Sequence, residues 1–222
     1  MTEPSRLVPR LLSPPELDGP ILVVAPHCDD ETLGCGGVLI GTRGHCRRHV
    51  VFLTEPDPGR RREWEAAERI VAPDAVGWCG LPDRQADPPD IDRGVALVAD
   101  ILGRERPRTV FVPNRSDPHP LHKAAHGLLA AAAARSAWAG KVLECDGLVA
   151  LETPNLWVRI DAHAAAKEAA LRCYETQERR LRLAEVAAAV NSYRALTFPR
   201  GLPVRVEAFR ATPAGVAGGW GA

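Results

Sequence analysis

The sequence lacks an excess of charge of either sign. Its 222 residues carry 28 basic and 28 acidic side chains, and these cancel at pH 7. A chain without a basic surplus has neither the electrostatic footprint typical of nucleic-acid binding nor a polybasic membrane patch. Lysine is also scarce, with Lys123, Lys141 and Lys167 standing beside many arginines. We attribute that bias to genome composition, and we predict no nucleic-acid partner.

Long hydrophobic runs and closely spaced cysteine pairs are absent as well. The N-terminal segment MTEPSRLVPRLLSPPEL is rich in proline and does not resemble a signal peptide, and no later stretch is long enough to span a bilayer. The six cysteines are scattered without a CxxC pair. We therefore expect reduced thiols, no membrane span and a cytoplasmic location.

The sequence does contain enough apolar material for one core. Hydrophobic residues make up 45% of the chain, which at this length favours a single domain. We predict an N-terminal extension at 1–20, a folded domain at 21–212 and a flexible glycine-rich tail at 213–222.

Strand and helix patterns alternate along this domain. Residues 21–25, ILVVA, form an unbroken apolar run between two prolines, which is typical of a strand buried on both faces. Further strands are predicted at 49–53, 75–79, 109–112, 147–151, 157–160 and 204–209. Helices are predicted at 33–41, 60–71, 92–104, 121–135, 162–174 and 178–190, and the proline-rich segment 83–92 is predicted to be a loop. The alternation indicates a largely parallel sheet covered by helices.

Two polar clusters follow strands of this predicted sheet. His27 and Asp30 come after the first strand, and the segment NRSDPHPLHKAAH, which follows strand 109–112, offers His119, His122 and His126. Because ligands bind beyond the carboxyl ends of parallel strands, both clusters should share one edge. Two histidines and one carboxylate, with a position left open for water, are typical of a catalytic zinc site.

Simpler explanations exist for each half of this site. Polar turn residues after a strand are routine, and the H-x-x-D spacing is weak evidence by itself. His122 and His126 lie four apart and can simply share a helix face. The remaining histidines lack carboxylate neighbours at ligand spacing and are expected to be ordinary surface or core residues: His45, His49 and His163.

The glycine-rich stretch GCGG at 34–37 raises the alternative of phosphate binding. The G-x-G-x-x-G pattern of a dinucleotide turn is not completed. Asp29, Asp30 and Glu31 would also stand where a pyrophosphate must dock, and they would repel it. We expect the glycines instead to let a helix pack close to the sheet and the metal site.

The two clusters resemble the motifs of a known family. PHCDDETLGCGG resembles the PHPDDE…GCGG signature of the LmbE/PIG-L family of zinc-dependent N-deacetylases, and DPHPLH resembles its second motif, D-x-H-P-D-H. Similar segments follow the family order, and the resemblance spans about 21–210: R-x-x-E at 60–63, LPD at 81–83, DAHAAAKEAALRCYETQ at 161–177 and VEAFR at 206–210.

The resemblance implies a fold, a cofactor and roles for individual residues. The fold implied is a Rossmann-like three-layer α/β/α sandwich, and the cofactor is Zn²⁺, with Fe²⁺, Co²⁺ or Ni²⁺ also compatible with the ligands. The resemblance implies that His27, Asp30 and His122 bind the metal and that Asp29 is the general base. It also implies that His119 stabilises the oxyanion or protonates the amine. Substrate contacts fall to Arg60 and Asp83. We add Asp117, two residues before His119, as a partner that holds the ring of that histidine.

The function implied is hydrolysis of a small-molecule amide, namely removal of acetyl from an N-acetylated amino sugar or glycoconjugate. Two alternatives remain: an amidase acting on another acyl or thiol-conjugate amide, and a non-catalytic sugar-binding protein. Segments 83–92 and 152–157 are expected to shape the pocket. The sequence leaves substrate identity open, and it allows a homo-oligomer without indicating one.

Two residues depart from the family motifs. Cys28 replaces the usual proline, and it is either a small buried filler or a thiol able to react or to ligate beside the metal. Leu121 replaces the aspartate of HPDH, which removes a carboxylate and should lower the pKa of His119. Neither change removes a ligand or the base, so we expect an active enzyme.

Overall fold

A computed structural model of the chain describes residues 10–17, 19–83, 87–198 and 204–212. Within them the strands are β1 Arg10–Leu12, β2 Ile21–Ala25, β3 Arg48–Thr54, β4 Ala75–Leu81, β5 Thr109–Pro113, β6 Lys141–Cys145, β7 Leu156–Arg159 and β8 Val206–Thr212. The helices are α1 Asp30–Gly41, α2 Pro58–Val71, α3 Pro88–Glu105, α4 Pro120–Ser136, α5 Asp161–Arg172, α6 Glu175–Leu181 and α7 Leu183–Thr197. None of these helices combines the length and the apolar character needed to cross a membrane.

The strands form one mostly parallel sheet in the order β1-β7-β8-β6-β5-β2-β3-β4. Its antiparallel pairings, among the described strands, are those of β8 with β6 and with β7. Side chains of β2 alternate between two apolar clusters, as expected for a strand covered on both faces. One cluster includes residues of α1, α2, α5 and α7, and the other includes residues of α3 and α4. The predicted three-layer α/β/α sandwich is confirmed.

Helix α1 packs unusually close to its neighbours because of its glycines. A Cβ built on Gly34 would lie 2.9 Å from the Cβ of Cys145 at the end of β6. A Cβ on Gly37 would lie 2.7 Å from the side chain of Ile160. Contacts this short exclude larger residues, so the prediction that GCGG serves close packing is confirmed.

Strand assignments differ from the sequence prediction in two places. The predicted strand at 147–151 is wrong: those residues form a loop, and β6 runs instead from Lys141 to Cys145. The strand at 141–145 is hard to predict because it contains Glu144, and a carboxylate is not expected in a fully buried strand position. Arg115 and Arg210 form ion pairs with Glu144. Strand β1 was not predicted, and it pairs with β7 at the sheet edge inside the segment assigned to an extension.

Helix assignments differ at two places as well. The predicted loop 83–92 is wrong in its second half, because α3 begins at Pro88. The side chain of Asp87 caps this helix by accepting a hydrogen bond from the N–H of Asp90. Proline is compatible with the first turn of a helix, where its missing N–H is not needed. The single helix predicted at 178–190 is two helices, separated by Arg182 in a left-handed conformation (φ 52°). The predicted tail, 213–222, lies outside the described residues.

Candidate active site and metal centre

The two polar clusters meet beyond adjacent strands. His27 lies two residues after the end of β2, and His119 and His122 lie at the start of α4, which follows β5. Strands β2 and β5 pair side by side in parallel. The ring centroids of His27 and His119 lie 4.9 Å apart, and those of His119 and His122 lie 5.2 Å apart. The prediction that both clusters share one sheet edge is confirmed.

Three side chains converge at separations that suit one metal ion. The Oδ2 atom of Asp30 lies 3.2 Å from Nδ1 of His27 and 3.4 Å from Nε2 of His122. Ligand atoms bonded tetrahedrally to one zinc ion at about 2.0–2.1 Å lie about 3.3 Å from one another. Two imidazoles and a carboxylate also suit Zn²⁺ and other first-row dications. The residues present therefore fit a divalent metal.

His119 belongs to a second grouping, in which ring nitrogens of His27, His119 and His122 lie within 4.8 Å of one another. The Nδ1 atom of His119 accepts a hydrogen bond from the backbone N–H of Leu121 at 3.3 Å. A neutral imidazole that accepts at one nitrogen carries its proton on the other. Asp30 therefore suits the third ligand position better than His119 does, and the Nε2 atom of His119 is suited to donate a hydrogen bond.

In each candidate histidine ligand, the ring nitrogen that does not face Asp30 faces another carboxylate. Oδ1 of Asp83 lies 2.8 Å from Nε2 of His27. Oδ2 of Asp117 lies 3.1 Å from Nδ1 of His122, although without the alignment of a hydrogen bond. Carboxylates in such positions orient a ligating imidazole and increase its basicity.

These contacts bear on two predicted roles. Asp83, predicted to contact substrate, lines the cavity, and its carboxylate also contacts the ring of His27. Asp117 was expected behind the ring of His119. One of its oxygens accepts from the backbone N–H of His119 at 2.9 Å, and the other faces the ring of His122. Both aspartates therefore lie where they can orient candidate metal ligands.

Charge balance in the site depends on the two histidines. Burial alone would lower the pKa of His27, but Asp30 and Asp83 outweigh it and raise that pKa to about 9. Burial alone would raise the pKa of Asp30, and His122 and His27 outweigh it and hold that pKa well below its usual range. Burial alone would also lower the pKa of His122, but Asp30 and Asp117 outweigh it and raise that pKa. Protons on the two histidines therefore offset the negative charge of these carboxylates. A dication would displace those protons, because only neutral imidazole ligates a metal.

Asp29 occupies a strained position beside this centre. Its φ of 127° lies in a region that L-residues rarely adopt, and such strain persists only where surrounding contacts impose it. The backbone N–H of Asp29 donates to Oε2 of Glu31 at 3.1 Å, and Nη2 of Arg60 donates to its Oδ2 at 3.0 Å. The same Nη2 donates to the carbonyl of Cys28 at 2.6 Å. Arg60, expected to contact substrate, holds the 28–29 segment in place.

Glu31 ties this segment to a distant part of the chain. It is fully buried, and its Oε1 accepts hydrogen bonds from the hydroxyl of Tyr174, at 2.7 Å, and from the hydroxyl of Thr32. Burial raises the pKa of Glu31. The motifs in the sequence do not indicate this role for Glu31, although an acidic residue at the start of an otherwise apolar helix is a signal of it.

The site opens into a cavity of about 540 Å³. Besides the residues discussed above, its lining includes Pro118 and side chains that the sequence analysis did not select: Leu148, Val149, Gln177, Arg180 and Leu181. These residues come from the loop after β6 and from α6. Of the two segments expected to shape the pocket, 83–92 contributes Asp83, whereas 152–157 is not part of the lining.

The departures from the family motifs are both buried. Cys28 lies in the apolar cluster under α1, and burial raises the pKa of its thiol well above the usual range. A protonated, buried thiol is a poor nucleophile and a poor ligand, which favours the filler interpretation. Leu121 is fully buried in the cluster under α3 and α4. The pKa of His119 is lowered, first by burial and then by the neighbouring His27 and His122.

His126, which the sequence left as a possible ligand, is a core residue. Its Nε2 lies 2.8 Å from the carbonyl oxygen of Pro113, and its ring is buried behind the site. Of the two histidines on this face of α4, the structure therefore places His122 and not His126 at the centre.

Comparison with known families agrees with this geometry. Residues 22–133 match the PIG-L family, described as GlcNAc-PI de-N-acetylase, and this segment contains both polar clusters and covers half of the chain. The chain belongs to the PIG-L family. A comparison with curated protein sequences finds no match.

Solved structures share this PIG-L fold. A conserved protein from Thermus thermophilus is 31% identical, with a TM-score of 0.73 over 86% of this chain and 93% of that chain. The N,N'-diacetylchitobiose deacetylase from Pyrococcus horikoshii is 22% identical, with a TM-score of 0.68 over 87% and 84% of the two chains. The hydratase GalB from Pseudomonas putida, which acts on 4-carboxy-2-hydroxymuconate, is 21% identical, with a TM-score of 0.66 over 88% and 96%. The fold therefore supports more than one reaction, so the function of this chain has to be inferred from the residues of its site.

Proposed function

We propose that this protein is a metal-dependent hydrolase that removes the acetyl group from an N-acetylated amino sugar or glycoconjugate. The observation that carries the proposal is the position of Asp30 Oδ2, which lies at ligand separation from one nitrogen each of His27 and His122. Asp29 and His119 line the same cavity. Family membership supports the same class of reaction, and we propose a cytoplasmic enzyme with zinc as its first candidate metal.

The proposed metal site consists of His27, Asp30 and His122. They would hold a divalent ion, which would supply Lewis-acid chemistry, namely polarisation of the amide carbonyl and activation of water near neutral pH. Asp83 and Asp117 keep the two imidazoles turned towards Asp30. Three protein ligands would leave one position of a four-coordinate ion for water or substrate.

Asp29 is the proposed general base. Its carboxylate lines the cavity beside Asp30, and Arg60 holds its Oδ2. An oxygen fixed in this way can accept the proton of an attacking water as the new C–O bond forms. The strained backbone at Asp29 is consistent with this role, because strain is retained where geometry matters for function.

His119 is the proposed electrophilic group. With Nδ1 accepting from Leu121, its Nε2–H is free to donate to the carbonyl oxygen as negative charge develops there. The lowered pKa favours the neutral ring, so stabilisation of the oxyanion is the role that this histidine can perform before any proton transfer. Protonation of the departing amine would require the ring to gain a proton during the reaction.

A hydratase is the second candidate, because GalB shares the fold and a hydratase also requires activated water. An amidase for a larger acyl group is compatible with a cavity of about 540 Å³, which exceeds the needs of an acetyl group. A non-catalytic sugar-binding protein would bind ligand without a metal. Acetate release distinguishes the first proposal from all three.

The test measures metal content and acetate release on the same preparations. We expect about one equivalent of a divalent metal, acetate release from N-acetylglucosamine glycosides, loss of release on chelation and recovery on reloading. His122→Asn should lose the metal, whereas the exposed His45, changed to Asn, should not. A metal content below roughly a tenth of an equivalent, with none gained on reconstitution, would reject the metal centre. Consumption of 4-carboxy-2-hydroxymuconate without acetate release would favour the hydratase.

A further inference from the structure

The loop after β6, residues 146–151, forms part of the cavity wall although it contains no helix or strand. We refer to it as the wall loop. Its Leu148 and Val149 line the large cavity. Its first two residues line a smaller cavity together with Asp30 and His122. The wall loop therefore lies beside both the open cavity and two of the proposed metal ligands.

Leu148 is the most exposed part of this wall. Its side chain is 55% exposed although it is large and apolar. A single exposed leucine is ordinary on a protein surface, so exposure alone gives it no role. Leu148 differs from the equally apolar and exposed Leu196 because Leu148 lines the cavity and its loop is anchored at several points.

The first anchor is a buried ion pair at the base of the wall loop. The Nε and Nη2 atoms of Arg194, on α7, donate to the two carboxylate oxygens of Asp146 at 2.8 and 2.7 Å. The same Nη2 donates to the carbonyl of Leu151 at 2.6 Å, and Oδ1 of Asp146 accepts from the N–H of Leu151 at 2.7 Å. Arg194 thus joins the first and last residues of the loop through a paired, charge-assisted contact.

The second anchor is Asn114, the buried residue that follows β5. Its Nδ2 donates to the carbonyls of Val149 and Ala150 at 3.3 and 3.2 Å. Its Oδ1 accepts from the N–H of Ser116 at 3.0 Å. Asn114 therefore connects the wall loop to the segment that leads to His119, on the other side of the site.

We propose that Arg194 and Asn114 are positioning residues, which hold the wall loop so that Leu148 is a preformed contact for the substrate. Among the described residues, the lining of the large cavity includes neither of them, so they act through the loop. An unanchored loop would lose conformational freedom when it closes on a ligand, and that loss would weaken binding. The two anchors remove this cost before the substrate arrives.

The position of Leu148 determines which kinetic constant should respond. An acetyl group extends only one methyl group beyond its carbonyl, which the proposed metal holds. A side chain as exposed as Leu148 therefore meets the amine portion of the substrate, away from the bond that breaks. Such a contact stabilises the bound substrate and the transition state alike, so its loss raises KM and leaves kcat unchanged. This inference rests on the proposed function in taking the cavity as the substrate site.

The first test measures KM and kcat for methyl N-acetylglucosaminide. Leu148→Ala should raise KM by about 3- to 10-fold, the effect of losing part of an apolar contact, with kcat within about twofold of wild type. Leu148→Met should restore most of the affinity. Leu196→Ala is the matched control, because Leu196 is 70% exposed and lies on α7. Unchanged KM in Leu148→Ala would overturn the inference.

The second test asks whether Arg194 acts through Leu148. Arg194→Lys keeps the charge and loses the paired hydrogen bonds, and we expect a rise in KM of about 3- to 10-fold. The double variant with Leu148→Ala should have a KM no higher than the larger single effect, because both changes remove the same contact. Fully additive effects would overturn the positioning role.

Arg48→Lys is the control for a merely structural effect. Arg48 is also a buried arginine, 2% exposed, and it pairs with Asp74 at 3.0 Å. It lies at the start of β3, whereas the site lies beyond the opposite ends of these parallel strands. The variant should lower the thermal midpoint as Arg194→Lys does and leave KM unchanged. An equal rise in KM in both variants would overturn the inference.

A third test does not depend on turnover. The N–H groups of Gly147 and Leu151 donate within the wall loop, so they should exchange slowly with deuterated water. Arg194→Lys should speed this exchange by at least about tenfold, and Arg48→Lys should not. Asn114→Asp should act like Arg194→Lys, since it keeps the acceptor for Ser116 and removes the donor to the loop.

Calorimetry completes this test with metal-loaded protein and methyl glucosaminide, which has no acetyl group to lose. Binding should be weaker in Arg194→Lys and Leu148→Ala than in wild type. These results would support the wall loop even if acetate is never released, in which case only the proposed reaction fails. Equal exchange rates in wild type and both anchor variants, or equal affinity for the ligand, would overturn the positioning role.

Discussion

Two clusters of charged residues contact helix α1, and they are built in opposite ways. Near the middle of the helix, Lys167 and Glu207 form an ion pair of 2.7 Å in which each side chain is 1% exposed. Lys167 also donates to the carbonyl of Leu33 at 2.8 Å, and Glu207 accepts from the N–H groups of Gly37 and Val38. We refer to this pair as the clamp, because its contacts lie on both sides of the break in α1 at Cys35.

The candidate site, at the start of the same helix, leaves polar groups unused. Nδ1 of His122 and Nε of Arg60 are buried without a hydrogen-bond partner in the described part of the chain, and Asp29 is strained. The site also opens into a large cavity. The clamp satisfies its charges internally, and we predict that it stabilises the fold. The site is proposed to bind a metal and a substrate. Buried polar groups can remain without a protein partner at such a site.

The comparison predicts that changes in the site reduce turnover, whereas changes in the clamp reduce stability. The largest effect is expected for Asp29→Asn, which removes the proposed base while preserving shape. Turnover should fall by about 10²- to 10⁴-fold, with bound metal and the thermal midpoint close to wild type. Acetate release and elemental analysis provide the measurement.

Asp100→Asn is the matched control, since Asp100 lies on α3 and is exposed. It should leave turnover unchanged. If Asp29→Asn retained more than a tenth of wild-type turnover with metal bound, another group would have to be the base.

The next largest effect is expected for Lys167→Met in the clamp. This change leaves Glu207 buried without its counter-charge, and breaking a buried pair in this way costs about 3–5 kcal/mol of unfolding free energy. Urea denaturation measures the loss. Lys141→Met, at an exposed position, should change stability by less than about 0.5 kcal/mol. A loss below about 1 kcal/mol for Lys167→Met would mean that the clamp does not stabilise the helix.

A smaller effect is expected for Tyr174→Phe, which tests whether Glu31 supports the backbone of Asp29 in the site. The change removes the hydroxyl that donates to buried Glu31, which in turn holds the backbone of Asp29. We expect kcat to fall by roughly 3- to 30-fold, in line with the loss of one hydrogen bond to a charged group, with little change in KM. Tyr193→Phe is the control, because Tyr193 is 60% exposed. Identical kinetics for the two variants would show that Glu31 does not depend on this bond.

The smallest effect concerns Glu144 of β6, a structural carboxylate outside both clusters. Burial alone would raise its pKa, but hydrogen bonds from Arg115 and Arg210 outweigh burial and hold the pKa below the usual range. Because the pKa is lower in the folded state, the stabilisation exists above the unfolded pKa of about 4.3 and is lost as pH falls through the folded value.

Glu144→Gln should therefore lower the unfolding free energy by about 1–2 kcal/mol at pH 7, and the difference from wild type should shrink below about pH 4. Denaturation curves at pH 7, 5 and 3.5 measure this trend. A difference that stays constant over this range would indicate that packing, and not charge, accounts for the cost.

Much of the fold could be predicted because local patterns and the global arrangement agree. The run at 21–25 has no polar residue, and the second polar cluster comes in the segment that follows strand 109–112, so both clusters could be placed at one edge from the sequence. The strand of Lys141–Cys145 could not be predicted in this way. Its buried Glu144 is acceptable only because Arg115 and Arg210, distant in sequence, neutralise it.

The candidate site divides in the same manner. The proposed ligands and base could be selected from the spacing of His27, Asp29, Asp30 and His122 together with the family motifs. The partners of Asp83, Asp117 and Arg60 could not, because spacing along the chain does not say which ring or carboxylate a side chain meets. Residues of α6 were missed for a related reason, since their place in the cavity depends on a break at Arg182 that carries no glycine or proline.

The sequence by itself determined the alternation of strands and helices, the edge at which the two polar clusters meet, and membership of the PIG-L family, because hydrophobic periodicity and motif order are properties of the chain alone. Only the tertiary structure decided that Asp30 Oδ2 lies between two imidazole nitrogens, that Arg60 holds Asp29, and that Arg180 faces the cavity without a partner in the described residues. The physical reason is that these facts depend on contacts between residues far apart in sequence, which close packing fixes and local patterns do not encode.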